Sequence, residues 1–219
     1  MSLPDALSAL YDTFSGVPKP SAVPGCPCCQ DQAKLCVLVK KPLRELTADE
    51  LCDYGCSVFL TAGSEADFHY LLPRLLEVGA TTPGWWPSPE VLLGKLKLAG
   101  WKAWPVPERR AVQTVLDAWY DTLFALSADI EQSGWSDFAS EFDEFVCGVG
   151  RAGADVGPYL DGLMEPQHRA QLQAFYWLNV SGKTGRVKLQ NAFWQDEPDG
   201  SAAVLAFLQR RDVEACASR

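Results

Sequence analysis

Cys26, Cys28 and Cys29 fall within four consecutive positions, in the stretch GCPCCQ at 25–30. Thiolates are soft donors, and the Cys-x-x-Cys spacing of Cys26 and Cys29 lets two sulfurs of one tight turn reach a single zinc ion about 2.3 Å away. A closed structural site needs two more ligands. Cys52 and Cys56, one helical turn apart, would present both sulfurs on one face. The candidate zinc set is therefore Cys26, Cys29, Cys52 and Cys56, with Cys36 as a further donor. The second pair is Cys-x-x-x-Cys, which is not the usual knuckle spacing. Redox chemistry would need a thiolate stabilised by a helix N-terminus or a cation, and no βαβ context surrounds the turn. The remaining reading treats the cysteines as small hydrophobes packed under a loop.

The second pattern is electrostatic. The chain carries 28 acids and 19 bases, for a net charge of −9. From Ala111 to Gly150 the acids are Asp117, Asp121, Asp129, Glu131, Asp137, Glu141, Asp143 and Glu144, with no Lys or Arg among them. Apolar positions at helical spacing in the same stretch must face a core, which pushes the carboxylates to the solvated side. Such a face repels nucleic acid and steers a basic protein partner toward it. Asp129, Glu131, Asp137, Glu141, Asp143 and Glu144 are the expected docking residues.

Other motifs carry less. Ser181-Gly182-Lys183-Thr184 fails as a phosphate loop, because Trp177 stands where the motif needs glycine and a helix precedes it. His69 and His168 are each isolated, without a placed acid or nucleophile. Trp85, Trp86, Trp101, Trp104 and Trp135 either pin loops or form a binding patch. With no catalytic constellation, the leading expectation is a non-enzymatic protein-binding protein, in concrete form an immunity- or antitoxin-like neutraliser of a basic effector. The alternative is a metalloprotein or enzyme using the cysteine turn.

The elements that must position these residues are helical. Leu3, Ala6, Leu7, Leu10, Tyr11 and Phe14 make an amphipathic stripe behind Pro4. Thr47-Ala48-Asp49-Glu50 is a capping box opening a helix expected to run to about Gly63. Ser64 starts another, with a kink or a break at Pro73. Ser88-Pro89 opens a third, ending at Gly100. The longest pattern, from Pro107, repeats through Val112, Val115, Leu116, Trp119, Leu123, Leu126 and Ile130. A helix from Ser136 carries Phe138, Phe142 and Phe145 inward, and residues 148–157 read as a break. Helices near 157–164, 166–179 and 201–215 follow. The run LCVLV at 35–39 suits a short strand or buried extended stretch, and GRVKL at 185–189 a short hairpin or nothing regular.

Fold class is therefore all-α: a single domain over residues 1–219 with about eight or nine helices and at most one short strand pair. No apolar run approaches the roughly 18 residues of a membrane span. The N-terminal stretch MSLPDALSALYDTF has an acid where a signal peptide has bases, so a cytoplasmic location and reduced cysteines are expected.

GCPCC, KPLRELTADEL and DFHYLLPRLLEV together resemble a bacterial family with a Cys-Pro-x-Cys-like turn, a Pro-Leu-Arg segment and a Phe-Leu-Pro-Arg-Leu-Leu-Glu-like helix. NAFW at 191–194 is loosely similar as well. The likeness covers residues 10–80 best. It implies a mostly helical fold, brings no activity or site residues with it, and does not include Cys52 or Cys56.

Overall fold

The structure, a computed structural model, describes residues 1–126 and 135–218. Asp129, Ile130 and Glu131 lie outside the described residues. Among the described residues there are 11 α-helices and no strands, so the fold is all-α, with more helices than the eight or nine that the sequence pattern suggests. The chain divides into two compact units, Met1–Trp119 and Tyr120–Arg219.

In the first unit, α1 (Leu3–Thr13) is capped by Ser2, whose Oγ accepts from Asp5 N at 3.3 Å, and it buries Leu3, Ala6, Leu7, Leu10 and Tyr11 as the spacing predicts. α2 (Gln32–Lys40) takes up the run expected to be extended. Asp31 decides this: its Oδ1 accepts from Ala33 N at 2.8 Å and Lys34 N at 3.4 Å, satisfying the orphan donors of a first turn. Leu35 and Leu38 are then the buried face, three residues apart.

α3 (Ala48–Ser57) begins with the expected Thr47/Glu50 capping box but stops at Ser57 rather than Gly63. Residues 58–63 fold back instead. Thr61 N and Ala62 N both donate to Ser57 O, Phe59 N donates to Ala62 O, and Phe59 adopts φ 65°. α4 (Glu65–Thr81) runs unbroken past Pro73, so the expected break is absent. At its start Asp67, buried, accepts from Ser64 N at 2.8 Å and from Tyr54 OH at 2.7 Å, which ties α4 to α3. α5 (Pro89–Leu98) packs on α3 and α4. α6 (Val106–Leu126), which begins in this unit and runs past its end at Trp119, buries Val112, Val115, Leu116, Trp119 and Leu123, the part of the predicted stripe that the described side chains cover.

In the second unit, α7 (Trp135–Arg151) continues through Gly148 and Gly150, where a break was expected. Beside Gly150 lie the side chains of Trp194 and Glu197, and a larger residue would crowd them. α8 (Gly157–Gly162), α9 (Arg169–Asn179), α10 (Pro198–Leu208) and α11 (Arg211–Ala217) complete the unit. α9 packs on α7 and α11, and α10 on α7. Aromatic rings join these helices: Phe142 meets Phe175 edge-on at 5.0 Å, and Phe145 meets Tyr159 at 5.5 Å. Each such pair contributes about 0.5–1.5 kcal/mol beyond burial. The 185–189 segment forms one bridge, Val187 to Val180, rather than a strand pair.

Candidate metal centre

The cysteine turn is held from both sides. Cys29 N and Gln30 N donate to Cys26 O at 3.1 and 2.9 Å, closing a tight turn just ahead of α2. Cys26 N donates to Thr61 O at 2.8 Å and Gly63 N to Pro24 O at 2.7 Å, clamping the turn to the fold-back after α3. Gln30 Nε2 adds a bond to Thr61 Oγ1 at 2.7 Å. Gly25 sits where a Cβ would overlap Leu35 Cδ1, so a larger residue would have to push the buried Leu35 side chain aside.

This backbone gathers three sulfurs. Cys26 Sγ lies 3.0 Å from Cys28 Sγ, Cys28 Sγ lies 3.4 Å from Cys29 Sγ, and all three fall within 4.8 Å of one another. Thiolates bound to one ion at about 2.3 Å would sit about 4 Å apart, so sub-ångström side-chain adjustments accommodate an ion. Cys28 and Cys29 are exposed and Cys26 half-buried. Leu60, 71% exposed, borders an open depression beside Cys26.

The thiols are electrostatically unequal. Hydrogen bonding from the Cys28 side chain, then from the Cys28 amide and the Cys29 thiol, lowers the Cys26 pKa to about 7. The same contacts push Cys29 up to about 11, with Cys28 the main cause and Cys26 next. Cys26 is therefore the first sulfur to ionise, and a cation drawn to it meets two more donors at once.

Cys52 and Cys56 do not join this group. They sit one turn apart on α3. Burial, then the neighbouring Cys52, pushes the Cys56 thiol up to about 11, while Trp86 hydrogen-bonds to it. Cys36 stands half-buried on α2. The structure thus brings Cys26 and Cys29 together as the spacing predicts, but the third sulfur is Cys28. Cys28 stands outside the Cys-x-x-Cys pair. The signal was present in the sequence as the density of cysteines itself.

The acidic residues are dispersed in environment. Asp137 and Glu141 are exposed, and burial followed by the charge of Asp137 raises the Glu141 pKa. Glu144 is half-buried. Asp143 corrects the expectation of a uniformly solvated row: it is 2% exposed and accepts from Trp194 Nε1 at 3.1 Å. The reason is helical geometry, since Asp143 shares a face with Ala139, Val146 and Gly150, all buried.

The histidines are both engaged, and His69, expected to lack a placed acid, has one in Glu108, 39 residues away in the chain. His69 hydrogen-bonds Glu108 at 2.9 Å and lies against Phe14 and Trp104. His168 Nδ1 donates to Gly162 O at 2.9 Å and stacks near Phe124. Trp85 pins its loop by donating to Ala48 O at 2.9 Å, and Trp101 and Trp104 are buried. Among the described residues no helix is long and apolar enough to cross a membrane. No family model, curated protein or solved structure matches the chain.

Proposed function

We propose that the protein binds a thiophilic metal ion, Zn(II) or Cu(I), on the Cys26/Cys28/Cys29 turn, and does so as a carrier rather than an enzyme. The observation behind this reading is the convergence of three sulfurs within 4.8 Å on a backbone clamped at both edges. Thiolate sets of this softness suit Cu(I) and zinc over harder cations. Closed four-ligand zinc sites staple folds, whereas three protein ligands leave a coordination position open. An exposed triad of that kind favours an ion that arrives and leaves. The acidic-face reading draws less support, because Asp143 is committed to Trp194 in the interior.

Metal analysis of protein purified reduced and without chelator, followed by competition with a chromophoric chelator, tests the proposal. About one ion per chain, held with sub-micromolar affinity, is expected. Cys28→Ser should weaken binding about a hundredfold, while Cys52→Ser/Cys56→Ser should leave it unchanged. Affinity weaker than about 10 μM, or affinity indifferent to Cys28→Ser, would overturn the reading.

A further inference from the structure

Between Glu165 and Asp196 the chain carries Arg169, Lys183, Arg186 and Lys188 and no carboxylate, within a protein of net charge −9. Lys183, Arg186 and Lys188 are exposed, and no ion pair to them occurs among the described residues. Like charges on one short loop repel one another.

The backbone fixes where these cations stand. Val180 pairs with Val187, Ser181 N donates to Arg186 O at 3.0 Å, and Lys188 N donates to Asn179 O at 2.8 Å. Arg186 and Lys188 flank the paired Val187, so in an extended segment they share one side. Buried Asn179 locks the base of the loop, its Oδ1 accepting from Gln190 N and its Nδ2 donating to Phe175 O, both at 3.2 Å. At the end of α9, Trp177 is 47% exposed and braced edge-on by Tyr176 at 4.9 Å. Trp177, Ser181, Thr184, Arg186 and Lys188 all line one pocket of about 600 Å³.

We propose that this pocket binds a nucleoside phosphate, with the base stacked on Trp177 and the phosphate oxygens on Arg186 and Lys188. The guanidinium fork matches two phosphate oxygens, and the ammonium adds a point charge. Thr184 Oγ1 accepts from Arg186 N at 3.3 Å, which leaves its O–H to donate to a phosphate. An exposed indole offers a π-face that stacks any base, worth about 1–3 kcal/mol per base in comparable sites. The volume falls in the usual range for a small-molecule site, about 300–1,000 Å³, and suits a mononucleotide. This is not a phosphate loop in disguise. Thr184 N and Gly185 N are already spent on Ser181 O, at 3.3 and 2.8 Å, so the anion contact comes from side chains. The site is independent of the cysteine turn.

Calorimetry and tryptophan fluorescence on the full chain, with ATP, pyrophosphate, adenosine and a short oligothymidine as probes, decide the matter. ATP is expected to bind with Kd below about 1 mM, and adenosine about tenfold more weakly. Arg186→Ala/Lys188→Ala should weaken ATP about tenfold or more with an unchanged thermal melt, since both side chains are exposed. Trp177→Leu should weaken ATP and spare pyrophosphate. No ATP binding at millimolar concentration, or binding indifferent to the double variant, overturns the proposal. Equal affinity for ATP and pyrophosphate, unmoved by Trp177→Leu, reduces the pocket to a bare anion patch and overturns it too. Binding of the oligothymidine alone would make the ligand a nucleic-acid strand instead.

Discussion

The cysteine turn and the 177–190 loop are both short, exposed and backbone-locked, yet they are locked differently. Cys26 N reaches Thr61 O, 35 residues away, so the turn, closed on Cys26 O by its own amides, is also held by the fold-back after α3. Ser181 N and Lys188 N close on Arg186 O and Asn179 O within their own segment. The first presents soft sulfurs that would have to ionise to hold the proposed ion. The second presents fixed positive charge beside an aromatic face. A site borrowed from a distant turn depends on the fold, whereas one closed locally depends on its own few residues.

Each variant measured against both ligands tells the two regions apart most strongly. Cys28→Ser should cost about a hundredfold in ion affinity and leave ATP binding within twofold of wild type. Arg186→Ala/Lys188→Ala should do the reverse, losing about tenfold or more for ATP with ion affinity intact. Raising ionic strength from about 0.05 to 0.2 M separates the sites again. Screening should weaken the charge-driven pocket severalfold and barely touch metal–thiolate bonds. If either double readout moved in step with the other, the two sites would not be independent.

Proton dependence is the next contrast. Hydrogen bonding from Cys28 holds the Cys26 pKa near 7, below the ordinary thiol range, so its thiolate dominates above that value and is lost as pH falls through it. Peptide-resolved alkylation should therefore be half-maximal at Cys26 near pH 7 and slow about tenfold for each further unit of acidification. Cys29, pushed up to about 11, should alkylate slowly throughout this range. Cys28→Ala removes the main cause and should move the Cys26 midpoint up toward about 8.5. A midpoint unchanged by that substitution would mean that the thiol contacts do not set the ionisation.

How far the sequence reveals such features follows from the range of the interactions that make them. The Leu3–Phe14 stripe, the Thr47/Glu50 capping box and the α6 periodicity are local patterns, and each appears in the structure as an element of the expected type. The helix at 32–40 was legible too, in Asp31, but a five-residue apolar run fits a strand equally well by periodicity. The end of α3 at Ser57 was not legible, because Phe59 at φ 65° is set by tertiary packing, including its edge contact with Phe68 at 5.1 Å. The same limit hid the membership of the sulfur cluster: Cys26 and Cys29 follow from spacing, whereas the separation of Cys52 from them depends on how α3 packs. Asp143 was misplaced for a related reason. Two adjoining apolar stripes on α7, Phe138-Phe142-Phe145 and Ala139-Val146-Gly150, are both buried, so the buried face is wider than the single phenylalanine stripe and takes in Asp143.

The smallest expected effects concern two glycines, one under each site, and they sharpen the contrast between distant and local support. Gly25 is required by space. A Cβ there overlaps Leu35 Cδ1 and comes 3.2 Å from Gln30 Cβ, so Gly25→Ala must shift the buried Leu35 side chain or the turn itself. Overpacking of this kind costs about 1–3 kcal/mol, read as a lower urea midpoint, and it should weaken ion binding as the sulfurs shift. Gly185 is required by conformation instead. Its φ is +64° and nothing lies within 4 Å of a Cβ placed there, so Gly185→Ala strains only the loop's own backbone. That strain is about 1 kcal/mol, and because the loop is exposed much of it can be relieved by local rearrangement. Global stability should then fall by less than the Gly25 substitution takes, while ATP affinity drops severalfold because Arg186 is the next residue. A Gly185→Ala protein with full ATP affinity would show that the bridged geometry of the loop does not position the cations.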